Sequence, residues 1–129
     1  MSQANRPLSP HLQVYKPMLS MMMSIAHRIT GAALFFGIIL LVWWLVAAAW
    51  SDAAFDMAQG FFGHWFGQLV MLGFTWALIH HLLGGIRHFI WDTGKGFELA
   101  TVEMLVCANL IGSMVVTALI WFCCYRLMA

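Results

Sequence analysis

Charged side chains are scarce in this sequence. Of 129 residues, six are Lys or Arg and five are Asp or Glu, so that 9% of the chain is charged and the formal net charge is +1. A typical soluble domain is about one quarter charged. So few charges cannot cover a water-facing surface, and a net charge of +1 provides no basic patch for phosphates. The composition therefore excludes a soluble globular domain, a disordered tail and a nucleic-acid-binding protein.

Cysteine and proline are also rare. The three cysteines (Cys107, Cys123 and Cys124) lie in one apolar stretch and form no C-x-x-C pair. They cannot hold an iron–sulfur cluster that needs four cysteines, and we interpret them as small residues of a membrane core. The three prolines fall within the first 17 residues, where no apolar run ends in a cleavage site. The N-terminus therefore does not have the pattern of a secretory signal.

Hydrophobic residues are abundant instead, at 63% of the chain, with a mean hydropathy of +0.86. A helix needs roughly 20 apolar residues to cross a bilayer. Three runs reach this length, at about 29–50, 65–86 and 104–125. No segment shows the strict alternation of a membrane β-strand. We predict an all-α membrane protein with three transmembrane helices, forming a single membrane-anchor domain over residues 1–129 that begins with a cytoplasmic or interfacial segment, residues 1–28.

The distribution of basic residues predicts the orientation of the three spans. Basic residues stand before the first span (Arg6, Lys16, Arg28), after the second (Arg87, Lys95) and after the third (Arg126). The loop at 51–64 contains no Lys or Arg and carries Asp52 and Asp56. Because loops on the inner side of a membrane are enriched in Lys and Arg, we predict that the N-terminus lies inside and the C-terminus outside.

The first polar cluster comprises Ser24, His27 and Arg28 at the edge of the first span. On a helix, positions i, i+3 and i+4 share a face, so a hydroxyl, an imidazole and a guanidinium would lie together. Such a set can hydrogen-bond the carbonyls of a quinone or the carboxylates of a haem, and the guanidinium matches a carboxylate in shape. The alternative is an ordinary arginine that extends to the membrane surface at the start of a helix.

The second cluster lies in the second span, where His81 and His88 are two helical turns apart and therefore share a face. Gly84 and Gly85 follow His81 at i+3 and i+4, so a flat macrocycle or another helix can approach the backbone there. A neutral imidazole at membrane depth is a natural iron ligand. His80 points about 100° away from His81 and is expected to face something else.

The same pattern has a structural interpretation, in which His81 hydrogen-bonds to another helix and the glycines allow close packing. The spacing does not decide between the two. If the iron has two axial ligands, the second must come from His80, from another chain or from a second copy of this chain.

Two motifs carry a resemblance to a known family. The first runs from R-P-L at residues 6–8 through S-P-H-L-Q-V-Y to S-x-x-H-R-x-T at Ser24–Thr30, and the second is H-x-x-x-G-I-R-H-F-x-W-D-x-G from His81 to Gly94. The chain resembles, over essentially its whole length, the cytochrome b membrane-anchor subunits of succinate dehydrogenase, respiratory complex II.

The resemblance implies roles for single residues. It implies that His81 is an axial ligand of haem b iron, with the other ligand supplied by a second membrane-anchor subunit. It places Ser24 and Arg28 in a ubiquinone site, and His27, Arg28 and His88 near the haem propionates. It places Asp92 near the quinone and the region of proton uptake.

The resemblance also implies partners and a reaction. A flavoprotein subunit would oxidise succinate, an iron–sulfur subunit would pass the electrons on, and the anchors in the lipid bilayer would bind ubiquinone. The expected location is the cytoplasmic (inner) membrane of a bacterium, in preference to the mitochondrial inner membrane. Two other interpretations are the anchor of a fumarate reductase and a structural membrane subunit without a cofactor, and the paired-histidine motif argues against the second of these.

Overall fold

The structure is a computed structural model that describes residue 11 and residues 15–128. This part of the chain contains no strand and folds into four helices: α1 (Leu19–Trp50), α2 (Asp52–Gly63), α3 (Trp65–Asp92) and α4 (Leu99–Met128). The helices α1, α3 and α4 are long and apolar enough to cross a membrane. The predicted all-α fold with three spans is thereby confirmed. The R-P-L motif at residues 6–8 lies outside the described residues.

The three long helices extend beyond the apolar runs. Helix α1 begins ten residues before the predicted span at 29–50, and α3 continues six residues beyond the predicted end at residue 86. The 32 residues of α1 are about 48 Å long, whereas the hydrocarbon core of a bilayer is about 30 Å thick. Hydropathy marks the part of a helix that suits lipid, and the hydrogen-bonded helix itself runs further.

The segment at 51–64, described above as a loop, is in fact helical over most of its length. The Ser51 side chain caps α2 by accepting a hydrogen bond from the backbone N–H of Ala54 at 3.2 Å. Asp52 stands in the first turn, where a negative charge favours the helix dipole. Trp44 Nε1 of α1 donates to Gln59 Oε1 of α2 at 3.1 Å. The connection between α1 and α3 is therefore a fixed corner.

The interior of the bundle is polar, and its surface is apolar. Helix α3 contacts each of the other three helices. Among the described residues only five hydrophobic side chains are buried, whereas six polar ones are (Thr30, His80, Arg87, Asn109, Ser113 and Thr117). Most large apolar side chains are exposed. This distribution suits a bundle whose outer surface meets lipid or other apolar chains, because polar groups in a membrane are stabilised inside the bundle.

The corner between α2 and α3 depends on the absence of a side chain at Gly67. A methyl group there would collide with the backbone of Phe61 and Phe62, which cannot rotate away. We predict that Gly67→Ala lowers the free energy of unfolding by about 1–3 kcal/mol. Gly63→Ala is the control, because a methyl group at Gly63 meets nothing within 4 Å. Thermal unfolding of the protein in detergent measures both, and equal effects would contradict this account of the corner.

Candidate haem and quinone site

Three histidines meet where the N-terminal part of α1 packs against the C-terminal half of α3. The rings of His27 and His81 are stacked, with centroids 4.0 Å apart and planes 2° from parallel. The ring of His88 lies 5.3 Å from that of His27 at an angle of 49°. The structure therefore brings together three of the residues singled out in the sequence, with His27 in contact with both of the others.

The proton of His81 is assigned to Nδ1 by its hydrogen bonds. Nδ1 lies 3.1 Å from the backbone carbonyl oxygen of His27 and 3.4 Å from Thr30 Oγ1. A carbonyl oxygen only accepts, so Nδ1 must carry the hydrogen. In the neutral ring this leaves Nε2 unprotonated, with its lone pair available. Within the described part of the chain, Nε2 makes no hydrogen bond.

Thr30 supports this contact from within α1. Its side chain is buried, and Oγ1 is 2.9 Å from the carbonyl oxygen of Ala26 and 3.0 Å from that of His27. The hydroxyl hydrogen is donated to these carbonyls, so the Oγ1 lone pairs face the Nδ1–H of His81. The His81 proton thus has two acceptors on α1, one from the backbone and one from Thr30.

His80 faces a different helix, as the rotation of about 100° between neighbouring residues predicts. It is fully buried, and its Nδ1 lies 3.3 Å from Ser113 Oγ of α4. Because Ser113 donates its own hydrogen to the carbonyl of Leu110 at 2.9 Å, it accepts from Nδ1–H of His80. The two adjacent histidines therefore lie against different partners, His81 against α1 and His80 against α4.

The two glycines after His81 have different surroundings. A side chain at Gly84 would collide with the ring of His27, whereas one at Gly85 would meet nothing within 4 Å. The surface at Gly84 is covered by a neighbouring helix, α1, through the ring of His27. Gly85 is left uncovered within the described residues.

Sequence reasoning missed Arg87, which it used only as a marker of topology. The side chain is buried, and its Nε and Nη1 have no hydrogen-bond partner among the described residues. Its Cζ lies 5.0 Å from the centre of the Trp91 ring. His27 Nδ1 is likewise buried and unpaired within the described chain. The signal available in the sequence was spacing, because Arg87 follows Gly84 by three residues and His80 by seven, which places it on the buried stripe of α3.

Ser24, Arg28 and Asp92 have exposed side chains. Ser24 and Arg28 are one turn apart on α1, while Asp92 is the last residue of α3. No hydrogen bond joins the three within the part of the chain that the structure describes. The predicted cluster of Ser24, His27 and Arg28 is therefore divided, since His27 turns towards α3 and the other two face outward.

The described residues contain no group of three or more His, Cys, Asp or Glu side chains arranged to hold a metal ion. This site therefore differs from a chelating site formed within one chain. What it offers is the His81 imidazole with a free Nε2, stacked on a His27 ring whose buried Nδ1 has no partner in the described chain.

The family described as succinate dehydrogenase/fumarate reductase transmembrane subunit matches residues 2–121. The chain belongs to this family. The resemblance carried by the two motifs is confirmed.

Individual relatives are named as subunits of one enzyme. The succinate dehydrogenase cytochrome b556 subunit of Paracoccus denitrificans is 46% identical over 118 residues, covering 92% of this chain and 91% of the relative. The cytochrome b556 subunit of Rickettsia conorii is 37% identical over 116 residues, covering 90% of each. The cytochrome b560 subunit of Marchantia polymorpha is 38% identical over 115 residues, covering 81% and 83%. This chain is thus homologous to membrane-anchor cytochrome b subunits of succinate dehydrogenase.

The Thr30 hydroxyl has a matched control on α3. Thr30 and Thr75 both bond the carbonyl four residues earlier in their own helix, but only Thr30 also reaches a histidine of another helix. We predict that Thr30→Val lowers the free energy of unfolding by about 1 kcal/mol and Thr75→Val by less than about 0.5 kcal/mol. Both are measured by unfolding in detergent. Equal losses would mean that the contact between Thr30 and His81 contributes no stability.

Proposed function

We propose that this chain is the haem b- and ubiquinone-binding membrane-anchor subunit of a succinate dehydrogenase, not catalytic by itself. The observation that carries the proposal is the hydrogen bonding of His81. Its Nδ1–H is held by the carbonyl of His27, so its unprotonated Nε2 is available to ligate iron. Histidines that ligate metals commonly donate the other ring N–H to a carbonyl or a carboxylate in this way.

The buried nitrogen atoms of His27 and Arg87 fit a cofactor that carries carboxylates. Arg87 Nε and Nη1 and His27 Nδ1 are buried without partners in the described chain. A buried guanidinium requires a counter-charge or further hydrogen bonds. Haem b carries two propionates, and His27, Arg28, Arg87 and His88 are the residues that would hold them. When bound, haem b supplies reversible one-electron chemistry at its iron.

A second ligand of the iron would come from another chain. His80 also donates its Nδ1–H, but its fully buried ring lies against α4, whereas the ring of His81 lies against α1, so we do not propose that the two bind the same iron. The family relationship supports a second membrane-anchor subunit as the source, and the exposed apolar surface suits a partner helix in the bilayer. The other partners in this proposal are the iron–sulfur and flavoprotein subunits.

Ser24 and Arg28 would bind ubiquinone. Both side chains are exposed on one face of α1 near its N-terminus, where the helix extends beyond the apolar run. The Ser24 hydroxyl and the Arg28 guanidinium would donate hydrogen bonds to a quinone carbonyl oxygen. These hydrogen bonds would strengthen as negative charge develops on that oxygen. Asp92 is an exposed carboxylate at the end of α3 and would take part in delivering protons.

The direction of the reaction distinguishes two members of the same family. The family description includes fumarate reductase, whereas the relatives compared above are named succinate dehydrogenase subunits, which favours succinate oxidation. The bacterial relatives and the three apolar helices favour a multi-pass protein of the bacterial cytoplasmic membrane. The N-terminus would lie inside, which puts Ser24 and Arg28 on the side where five of the six basic residues stand.

The haem assignment is tested by comparing adjacent histidines. We predict that the complex purified from its own membrane shows a reduced-minus-oxidised spectrum of b type, and that His81→Ala abolishes it. His80→Asn is the control, because the amide nitrogen of Asn can replace Nδ1 as the donor to Ser113. We expect this variant to retain the spectrum. A wild-type complex without haem absorbance, or an intact spectrum in His81→Ala, would refute the proposed ligand.

The quinone assignment is tested by comparing two arginines. Removal of a charged hydrogen-bond donor costs about 1.5–3 kcal/mol, so we expect Arg28→Ala to lower kcat/KM for quinone by roughly 10- to 100-fold. Succinate oxidation with a soluble artificial acceptor should remain. Arg126→Ala is the control, because this exposed arginine near the end of α4 lies over Phe122. Equal loss of both activities in Arg28→Ala would indicate failed assembly instead of a quinone contact.

A further inference from the structure

The stacked histidines each lie against a glycine of the opposite helix. A methyl group built on Gly84 of α3 would collide with His27 Nδ1 of α1 and lie 2.8 Å from Cε1 of the same ring. A methyl group built on Gly31 of α1 would lie 2.9 Å from Cε1 and 3.5 Å from Nδ1 of His81 on α3. A real Cβ atom essentially never lies as close to another side chain as the 2.8 and 2.9 Å found here. Each ring therefore occupies space that a side chain on the other helix would fill.

Among the glycines of α3, only Gly84 lies against a histidine ring. On α3, the helix of Gly84, a methyl group on Gly85 or on Gly73 would meet nothing within 4 Å. Gly84 and Gly85 are adjacent, and yet only Gly84 is in contact with a ring. The requirement for glycine at residues 31 and 84 thus comes from the two imidazole rings, and Gly37 of α1 likewise leaves room for the ring of Phe74 of α3.

The packing of each ring against a glycine of the opposite helix limits how far that ring can rotate. The two rings are parallel with centroids 4.0 Å apart, so either one can rotate only by pushing the other. The His88 ring also lies 5.3 Å from the His27 ring. Rotation of the His81 ring would also break the bond from Nδ1 to the carbonyl of His27. Because Nε2 belongs to the same rigid ring, its direction is fixed as well.

We propose that Gly31 and Gly84 are positioning residues that set the orientation of the His81 ring, Gly31 by direct contact and Gly84 through the ring of His27. The inference rests on the proposed function, since it concerns the imidazole assigned as an iron ligand. Beyond that assignment, two residues without functional groups have a defined role, because they orient the ring that would bind iron.

The test is a double-mutant cycle in the complete complex with its partner subunits. Gly84→Ala and His27→Ala are made singly and together, and Gly85→Ala is the matched control. Two quantities are measured: the electron paramagnetic resonance g values of the ferric haem, which report ligand orientation, and the midpoint temperature of thermal unfolding. Gly31→Ala is measured in the same way.

We expect Gly84→Ala to shift the g values and to lower the unfolding midpoint by about 5 °C when His27 is present. In the His27→Ala background the same substitution should shift neither quantity, because the ring that the methyl group meets is gone. Gly31→Ala should shift the g values in both backgrounds, since it contacts His81 directly. Gly85→Ala should leave the g values unchanged and the midpoint unchanged or slightly higher, because alanine favours a helix.

The results that would overturn this inference differ from those that would refute the proposed function. If Gly84→Ala behaves like Gly85→Ala, or has the same effect with and without the His27 ring, the inference is wrong. If Gly84→Ala prevents assembly, restoration by His27→Ala supports the inference and continued failure overturns it. A complex without haem refutes the proposed function, and the coupling between residues 27 and 84 in thermal unfolding then decides the packing role separately.

Discussion

The hydrogen bond from His81 to the backbone carbonyl of His27 is the constraint on which the arrangement of the site depends. It joins two long helices through a side chain on one and a main-chain atom on the other. In an apolar medium an unpaired polar group is costly, so the helices are held where the imidazole meets that carbonyl. The parallel stack, the contacts with the two glycines and the free Nε2 all require this alignment of α1 and α3.

The fold could be predicted from the sequence to the extent that lipid determines it. Long uncharged runs have no other stable form in a bilayer than a helix, so the three spans were evident. The ends of the helices are not evident from the sequence, because backbone hydrogen bonding continues past the last apolar residue when no proline interrupts it. Helix α2 is not evident from the sequence because it is short and contains Asp52 and Asp56, so it lacks a long apolar run. Its evidence is local: the capping side chain of Ser51 and the contact from Trp44 to Gln59.

The site could be predicted only where it depends on one helix. The different directions of His80 and His81 follow from helix geometry and were foreseen. The stacking of His27 on His81 depends on the relative position of two helices and joins residues 54 apart in sequence, which no local pattern specifies. Arg87 was assigned to topology because a cation at the end of a span already has an explanation. Its burial becomes visible only in the assembled bundle.

The sequence separation of 54 residues between His81 and its acceptor also has a consequence for biogenesis. Membrane helices insert first and associate afterwards. While α1 is alone in the bilayer, Thr30 already has an acceptor in the Ala26 carbonyl of its own helix, whereas the ring of His27 has no such internal partner. The two halves of the site come together only when α3 arrives. Loading of the proposed cofactor would therefore follow the insertion of α3, which carries His81.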